Sequence, residues 1–122
     1  MRVALADERD KVRFALRALL HQQADVEVVG EAANARDLIA LVENECTELI
    51  LLDWELPGME FNDLVGELRS LCPSSMVVAL SGRVGARQAA LEAGVDGFVS
   101  KGDPPEKLLS AIRACAEPRS RP

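Results

Sequence analysis

The sequence predicts an α/β fold in which a parallel sheet carries helices on both faces, a doubly wound domain. Apolar runs of strand length alternate five times with segments of helical periodicity along the 122 residues. The run at 49–52, Leu-Ile-Leu-Leu, has no polar alternation, which is typical of a strand buried on both faces. With 48% hydrophobic residues, the chain has the size and apolar content of one domain.

The predicted strands are short and rich in aliphatic residues. They lie at 2–6 (RVALA), 26–32 (VEVVGEA), 48–53 (ELILLD), 76–81 (MVVALS) and 97–100 (GFVS). A segment of helical spacing follows each strand. Such an alternation implies a doubly wound sheet, whose ligands bind at the carboxyl ends of the strands.

The segments between the strands have the spacing of amphipathic helices. In the first, residues 10–23, Arg13 and Arg17 lie outside an apolar stripe formed by Val12, Leu16, Leu19 and Leu20. The later segments are ARDLIALVEN, FNDLVGELRSL, ARQAALEAG and PPEKLLSAIRACA. Pro105 suits the first turn of the last helix, and Gly94 indicates the end of the helix before it.

Composition limits the classes of function. The net charge of -6 argues against nucleic-acid binding by this domain, so DNA contact would need another domain. No stretch approaches the roughly 20 apolar residues of a membrane helix, and the N-terminus lacks the layout of a signal peptide. We therefore expect a cytoplasmic protein without membrane contact.

The cysteines are Cys46, Cys72 and Cys115. Their number is odd, their spacing is wide, and they form no CxxC pair and have no histidine nearby. This pattern predicts neither a disulfide framework nor a zinc site. We expect three reduced thiols in the core.

Chemically active side chains stand at the ends of four predicted strands: Asp7 with Glu8, Asp53, Ser81 and Lys101. If the fold is doubly wound, these strand ends meet in space. Three carboxylates together need a cation, and hard oxygen ligands suit Mg²⁺. An aspartate beside Mg²⁺ can attack phosphorus and form an aspartyl phosphate. A hydroxyl and an ammonium would then contact the phosphoryl oxygens.

Each of these residues also has an ordinary interpretation when it is taken singly. The acidic pair suits the start of a helix, and Asp53 suits the turn formed with Pro57 and Gly58. Ser81 suits another turn, and Lys101 suits a solvated side chain. The order of residue types, each at the end of a different strand, is what favours a site.

At these residues the sequence resembles the receiver domains of bacterial two-component response regulators, which have the CheY-like fold. The motifs ALADERD, LLDWELPGM, VALSG and GFVSKGDPPEKL carry the resemblance, which covers nearly the whole chain. VRFALRALL, VEVVGEAANARDLI and LEAGVDGFVSK are similar to receivers of NarL/LuxR-type regulators in particular. The resemblance implies a (βα)5 receiver domain at 1–117 with strand order 2-1-3-4-5. Residues 118–122 would be a tail or the start of a linker to a missing output domain.

The resemblance also implies residue roles. Asp53 would be the phosphoacceptor, Ser81 and Lys101 the phosphoryl contacts, and Ser81 with Phe98 the switch. Magnesium would be held by the side chains of Asp7, Glu8 and Asp53 and by the backbone carbonyl of Glu55. Gly102 follows the lysine where many receivers have proline. Glu8 and Ser81 replace the commoner aspartate and threonine, and both preserve the chemistry.

The implied function is a signalling switch with no turnover beyond its own phosphorylation and slow dephosphorylation. A histidine kinase or phosphotransfer protein would supply the phosphoryl group, and a homodimer would form on phosphorylation. An output domain outside this chain would contact DNA, with transcription as the output.

Two other functions remain open. One is a binding module with the same fold that is never phosphorylated. The other is a phosphatase like the haloacid dehalogenases, because Glu55 lies two residues after Asp53. However, the second aspartate and the small hydroxyl residue of those enzymes are absent, and no cap domain fits.

Glu55 and Arg83 are expected at the mouth of the pocket, two residues past Asp53 and Ser81. An ion pair between them would obstruct the line along which water attacks the phosphoryl group. The alternative is two solvated side chains that do not interact.

Overall fold

A computed structural model of the chain describes residues 1–83 and 85–116, over which five strands alternate with five helices. The strands are β1 (Arg2–Ala6), β2 (Glu27–Ala32), β3 (Leu49–Asp53), β4 (Met76–Ser81) and β5 (Gly97–Ser100). The helices are α1 (Asp10–His21), α2 (Ala35–Asn44), α3 (Phe61–Leu71), α4 (Ala86–Glu92) and α5 (Pro105–Ala116). The predicted strand bounds are confirmed for β1, β4 and β5, whereas β2 and β3 each begin one residue later. The predicted tail at 118–122 lies outside the described residues.

The strands form one parallel sheet in the order β2-β1-β3-β4-β5, which confirms the expected fold class. The strand order reverses at β1, so β1 and β3 are neighbours at the centre of the sheet. Ala6 pairs with Leu52, and each of these residues is followed by an aspartate, Asp7 and Asp53 respectively. At the other side Ser81 pairs with Ser100, directly before Lys101.

The pleat of the strands divides the core into two layers. Helices α2, α3 and α4 cover one face of the sheet, and their buried residues pack on Ala4, Ala6, Ile50, Leu52, Val77 and Ala79. Helices α1 and α5 cover the other face, on Val3, Leu5, Leu49, Leu51, Val78 and Leu80. Strand β3 is buried at every position, as its unbroken apolar run predicts.

The turn after β3 is fixed to the neighbouring helix by its backbone. The carbonyl of Pro57 accepts the N–H of Ala35 at 2.8 Å, at the start of α2. Gly58 has a φ of +105°, which suits a residue without a Cβ atom. The segment that carries Asp53 into the turn is thereby held in place.

The prediction of three reduced core thiols is wrong for two of the cysteines. Cys46 and Cys72 form a disulfide across 26 positions, with their Cα atoms 5.6 Å apart. Cys46 is exposed just before β3, and Cys72 is buried at the end of α3. The fold brings these two loops together at the amino edge of the sheet, which sequence spacing alone does not reveal. Cys115 on α5 is half-buried and takes no part in this disulfide.

Among the described residues, no helix has the length and apolar character needed to cross a membrane.

Candidate functional site

The candidate site lies at the carboxyl edge of the sheet, where β1, β3 and β5 end. Lys101 Nζ donates to Asp7 Oδ2 at 2.7 Å and to Asp53 Oδ1 at 3.1 Å. These bonds join side chains that are 94 and 48 positions apart in the sequence. The expected meeting of strand ends is therefore found for these residues.

Burial shapes the electrostatics of the site. Asp7 and Asp53 are 1% and 5% exposed, whereas the Lys101 side chain is 25% exposed. Burial raises the pKa of Asp53 most strongly, the Glu55 N–H opposes this, and the charge of Asp7 adds to it. Burial alone would lower the pKa of Lys101, but its bonds and charge attraction to the two aspartates outweigh this and raise it. When both aspartates are ionised, they carry more negative charge than this lysine neutralises.

Asp53 belongs both to the turn after β3 and to the group of side chains at the strand ends. Its Oδ1 accepts the N–H of Glu55 at 3.2 Å, and its carbonyl accepts the N–H of Leu56 at 3.1 Å. The carboxylate therefore begins the turn and faces Lys101 at the same time. The turn limits the rotation of the carboxylate.

Ser81 ends β4 and is 1% exposed. Its Oγ accepts the N–H of Arg83 at 2.9 Å, and its carbonyl accepts the N–H of Lys101 at 2.8 Å. The backbone bond keeps Ser81 next to the lysine of the site. The hydroxyl is held by the first residues of the β4–α4 loop.

The expected gathering of three acids is not found at Glu8. Its side chain is exposed, and among residues 1–83 and 85–116 no three His, Cys, Asp or Glu side chains lie close enough to hold a metal. Asp7 and Asp53 are instead joined through the ammonium of Lys101. A third carboxylate is more stable in water than beside two carboxylates whose charge a single lysine neutralises only in part.

Glu55 and Arg83 form the ion pair that was one of the two expected arrangements. Arg83 Nε lies 2.5 Å from Glu55 Oε2, and the side chains are 70% and 51% exposed, respectively. The pair connects the loops that follow β3 and β4. Its effect on water remains a prediction.

Phe98 and Trp54 pack on the α2–α4 side of the sheet. Phe98 is half-buried, and the Arg87 guanidinium carbon lies 5.9 Å from its ring centre. Trp54 is also half-buried, with its ring centre 4.5 Å from that of Phe61. Inward rotation of Phe98 stays a prediction.

Arg13 is a part of this edge that the sequence did not predict. Its Nη1 donates to the carbonyl of Asp7 at 2.7 Å, directly beside the buried carboxylate. The available signal was its place on the polar side of α1, shortly after the acidic pair. A contact from a side chain to a backbone carbonyl leaves no residue pattern, so the sequence could not distinguish Arg13 from a solvated arginine.

A doubly wound sheet with two buried aspartates and a lysine at its carboxyl edge matches the expected class of receiver domains. Residues 3–113 match the response regulator receiver domain family. The chain belongs to this family, which consists of signalling proteins and not of classical enzymes.

Two curated relatives are transcription regulators. The chain is 34% identical over 119 residues to the uncharacterized transcriptional regulatory protein YxjL of Bacillus subtilis, covering 95% of this chain and 54% of the relative. It is 34% identical over 116 residues to the nitrate/nitrite response regulator protein NarL of Escherichia coli K12, covering 93% of this chain and 54% of the relative. The chain thus spans about half the length of these relatives.

Solved structures show the same architecture. The signal receiver domain of the putative response regulator NarL from Mycobacterium tuberculosis matches with a TM-score of 0.86 and 27% identity, covering 97% of both chains. RcsB from Salmonella enterica serovar Typhimurium, bound to promoter rprA with phosphomimetic BeF3⁻, matches with a TM-score of 0.87 and 27% identity. That match covers 97% of this chain and 61% of RcsB.

Proposed function

We propose that this receiver domain is a phosphorylation-dependent switch in which Asp53 accepts the phosphoryl group. The contact of Asp53 with Lys101 beside buried Asp7 carries this proposal. The turn bond from Glu55 restricts the carboxylate, and a restricted nucleophile loses less entropy in the transition state. With a phosphohistidine donor, an Asp53 oxygen bonds to phosphorus as the phosphorus–nitrogen bond breaks. The released imidazole takes up a proton.

Magnesium is the cofactor that receiver domains generally use, and the donors of this site suit it. Asp7 and Asp53 offer carboxylate oxygens, which hard divalent cations prefer. Glu8 and the backbone carbonyl of Glu55 would complete the protein ligands. The bound ion would offset the charge of the phosphoryl group. Lys101 would neutralise a phosphoryl oxygen, since its ammonium stands on a flexible stem.

The switch would begin at Ser81 and end at Phe98. Ala79 pairs with Phe98, and Ser81 pairs with Ser100, so the two switch residues lie on neighbouring strands. A Ser81 hydroxyl drawn to the phosphoryl group would leave space for the Phe98 ring to turn inward. This movement would change the surface of α4, β5 and α5.

The partners follow from the family and from charge. A histidine kinase or a phosphotransfer protein would supply the phosphoryl group in the cytoplasm. Phosphorylation would favour a homodimer. The relatives are transcription regulators, and the net charge of -6 disfavours DNA contact by this domain, so an output domain would make that contact.

A phosphorylation-independent binding module is the second candidate. The observation that favours it is the Lys101 bridge, which gives both buried aspartates a positively charged partner without a metal ion. Beryllofluoride with Mg²⁺ discriminates the two functions. A switch changes the amide NMR spectrum around Ser81 and Phe98, whereas such a module leaves it unchanged.

Incubation with acetyl phosphate and Mg²⁺ tests the proposed acceptor. Intact-mass spectrometry should show one added phosphoryl group on the native chain and none on Asp53→Asn. Asp63→Asn is the control, because Asp63 is an exposed aspartate in the first turn of α3. Undiminished labelling of Asp53→Asn would contradict the assignment.

A further inference from the structure

Arg13 joins three segments at the carboxyl edge of the sheet. Its Nη1 donates to the carbonyls of Asp7 at 2.7 Å and Glu8 at 3.3 Å. Its Nε donates to Glu31 Oε1 on β2 at 3.1 Å, and its Nη2 pairs with Asp10 at the start of α1. Although it stands on a surface helix, the Arg13 side chain is only 15% exposed.

The two carbonyl contacts lie on either side of the Glu8 Cα atom. Each peptide unit is planar, so the direction of its carbonyl sets the orientation of the whole unit. Arg13 therefore fixes both peptide planes that meet at Glu8, and these planes set the direction of the Glu8 Cα–Cβ bond. The Asp7 N–H donates to the Ala32 carbonyl at 3.0 Å, so Asp7, the residue before Glu8, is anchored to β2.

Glu31 in turn holds the guanidinium. It lies opposite Leu5 in the β1–β2 register and accepts from both Arg13 and Arg17. A planar guanidinium bonded along one edge to Glu31 keeps its other nitrogens in fixed directions. A lysine ammonium has a single nitrogen. It therefore cannot replace this fork of planar guanidinium donors, which contacts Glu31 and the two carbonyls together. Arg17 also pairs with Glu31, and its guanidinium lies over the ring of Phe14.

We propose that Arg13 is a positioning residue for the magnesium site, and this inference rests on the proposed function. Arg13 orients the Asp7–Glu8 backbone so that the exposed Glu8 carboxylate joins the cation held by the two buried aspartates. Arg13 acts through these carbonyls and touches neither the cation nor the phosphoryl group. The loop geometry is thus set before the cation arrives.

Titration of Trp54 fluorescence with MgCl2 measures the effect directly. Trp54 is the only tryptophan and the neighbour of Asp53, so its emission should report binding. Arg13→Lys keeps the charge and removes the fork, and its Mg²⁺ midpoint should rise about tenfold. Arg17→Lys is the matched control, with a midpoint within about twofold of native, since it leaves the fork intact. Thermal unfolding checks that each variant is folded.

Phosphorylation by acetyl phosphate distinguishes positioning from a general defect. At saturating Mg²⁺ the labelling rate of Arg13→Lys should return to the native rate, because only cation affinity has changed. Glu31→Gln should raise the Mg²⁺ midpoint by less than Arg13→Lys, since it loosens the anchor and keeps the fork.

Three outcomes overturn the inference and separate it from the proposed function. An unchanged midpoint in Arg13→Lys removes the role of Arg13 alone. If Arg17→Lys weakens Mg²⁺ binding as much as Arg13→Lys does, the effect comes from packing between α1 and β2. A native chain without a Mg²⁺ response, and without Mg²⁺-dependent labelling, removes the magnesium site itself and this role with it.

Discussion

The two edges of the sheet both carry ion pairs, but among the described residues only the amino edge has a covalent cross-link. At the carboxyl edge the loops are joined by charged groups, with Lys101 on Asp7 and Asp53 and Arg83 on Glu55. At the amino edge the ion pairs Arg2–Glu45 and Arg69–Asp96 are accompanied by a covalent bond and by a hydrogen bond from a buried hydroxyl. These two contacts are the Cys46–Cys72 disulfide and the bond from Ser75 Oγ to the Thr47 carbonyl.

This difference distinguishes contacts that can be exchanged from a bond that stays fixed. An ammonium or a guanidinium can exchange a carboxylate for a phosphoryl oxygen without a broken covalent bond. A disulfide cannot rearrange unless electrons are supplied. We therefore expect the amino edge to stay fixed while the contacts at the carboxyl edge change. The contacts of Ser81 and Lys101 belong to the changing part.

The largest expected effect is the loss of the disulfide. A cross-link across 26 positions stabilises the folded chain by about 3.5 kcal/mol in the chain-entropy account. A dithiol reductant or the Cys46→Ser change should lower the free energy of unfolding by that amount, measured by urea unfolding. Cys115→Ser should keep the sensitivity to reductant.

The disulfide experiment also tests the separation of the two edges. The rate of labelling by acetyl phosphate should be the same before and after reduction. A changed rate would show that the edges are coupled. Equal urea midpoints in the oxidised and reduced chains would contradict the stabilising role of the bond. Disulfides are rare in reducing compartments, so the redox state in the cell decides which form is present.

A smaller change in the free energy of unfolding is expected for Asp53→Asn. The pKa of Asp53 is raised by burial, so the folded chain binds this proton more tightly than the unfolded chain does. Stability therefore falls as pH rises from the ordinary aspartate pKa through the raised one. The variant should be more stable than native by about 1 kcal/mol at neutral pH. This gain should disappear below both pKa values.

Urea unfolding between about pH 4 and about pH 7 checks this dependence on pH. Asp63→Asn is again the control for the loss of an aspartate side chain. A loss of stability in Asp53→Asn that is equal at every pH would contradict the electrostatic cost assigned to this edge. It would show that the carboxylate is needed for packing.

The smallest effect concerns the Glu55–Arg83 pair. Because both side chains are largely exposed, the pair should contribute roughly 0–1 kcal/mol to stability. Arg83→Ala and Glu55→Ala should each speed the decay of the aspartyl phosphate by about threefold, as water gains access. The double variant should match either single variant. Decay followed by mass spectrometry measures the rates.

Arg113→Ala controls for the loss of an exposed arginine, because Arg113 lies beside Met1 near the amino edge. It should leave the decay rate unchanged. Rates that add independently in the Glu55 and Arg83 variants would reject the obstruction of water by the pair.

Much of the fold was predictable because local patterns and tertiary structure agree. The unbroken apolar run of β3 required cover on both faces, and the structure buries all of it. Pro105 and Gly94 marked helix ends, and α5 begins at that proline while Gly94, with a φ of +103°, follows α4. These signals depend on neighbours in the sequence.

The parts that were missed depend on distant residues. The disulfide joins two loops whose approach is set by β3 and α3. The two aspartates are joined by a lysine from the last strand connection, while the side chain of Glu8 is exposed. Arg13 reaches a carbonyl, which every residue has. No spacing rule reports such contacts.

The lysine bridge has a consequence for the timing of synthesis and folding. Asp7 and Lys101 are 94 positions apart, and the ribosome completes the chain from its N-terminus. A partly made chain can pair β1 with β3, but it lacks the ammonium until β5 docks at the sheet edge. The two buried aspartates then repel each other without this internal partner. Completion of the site around Asp7, Asp53 and Lys101 is therefore a late event, which on the proposed function would leave only a fully folded domain ready to receive a phosphoryl group.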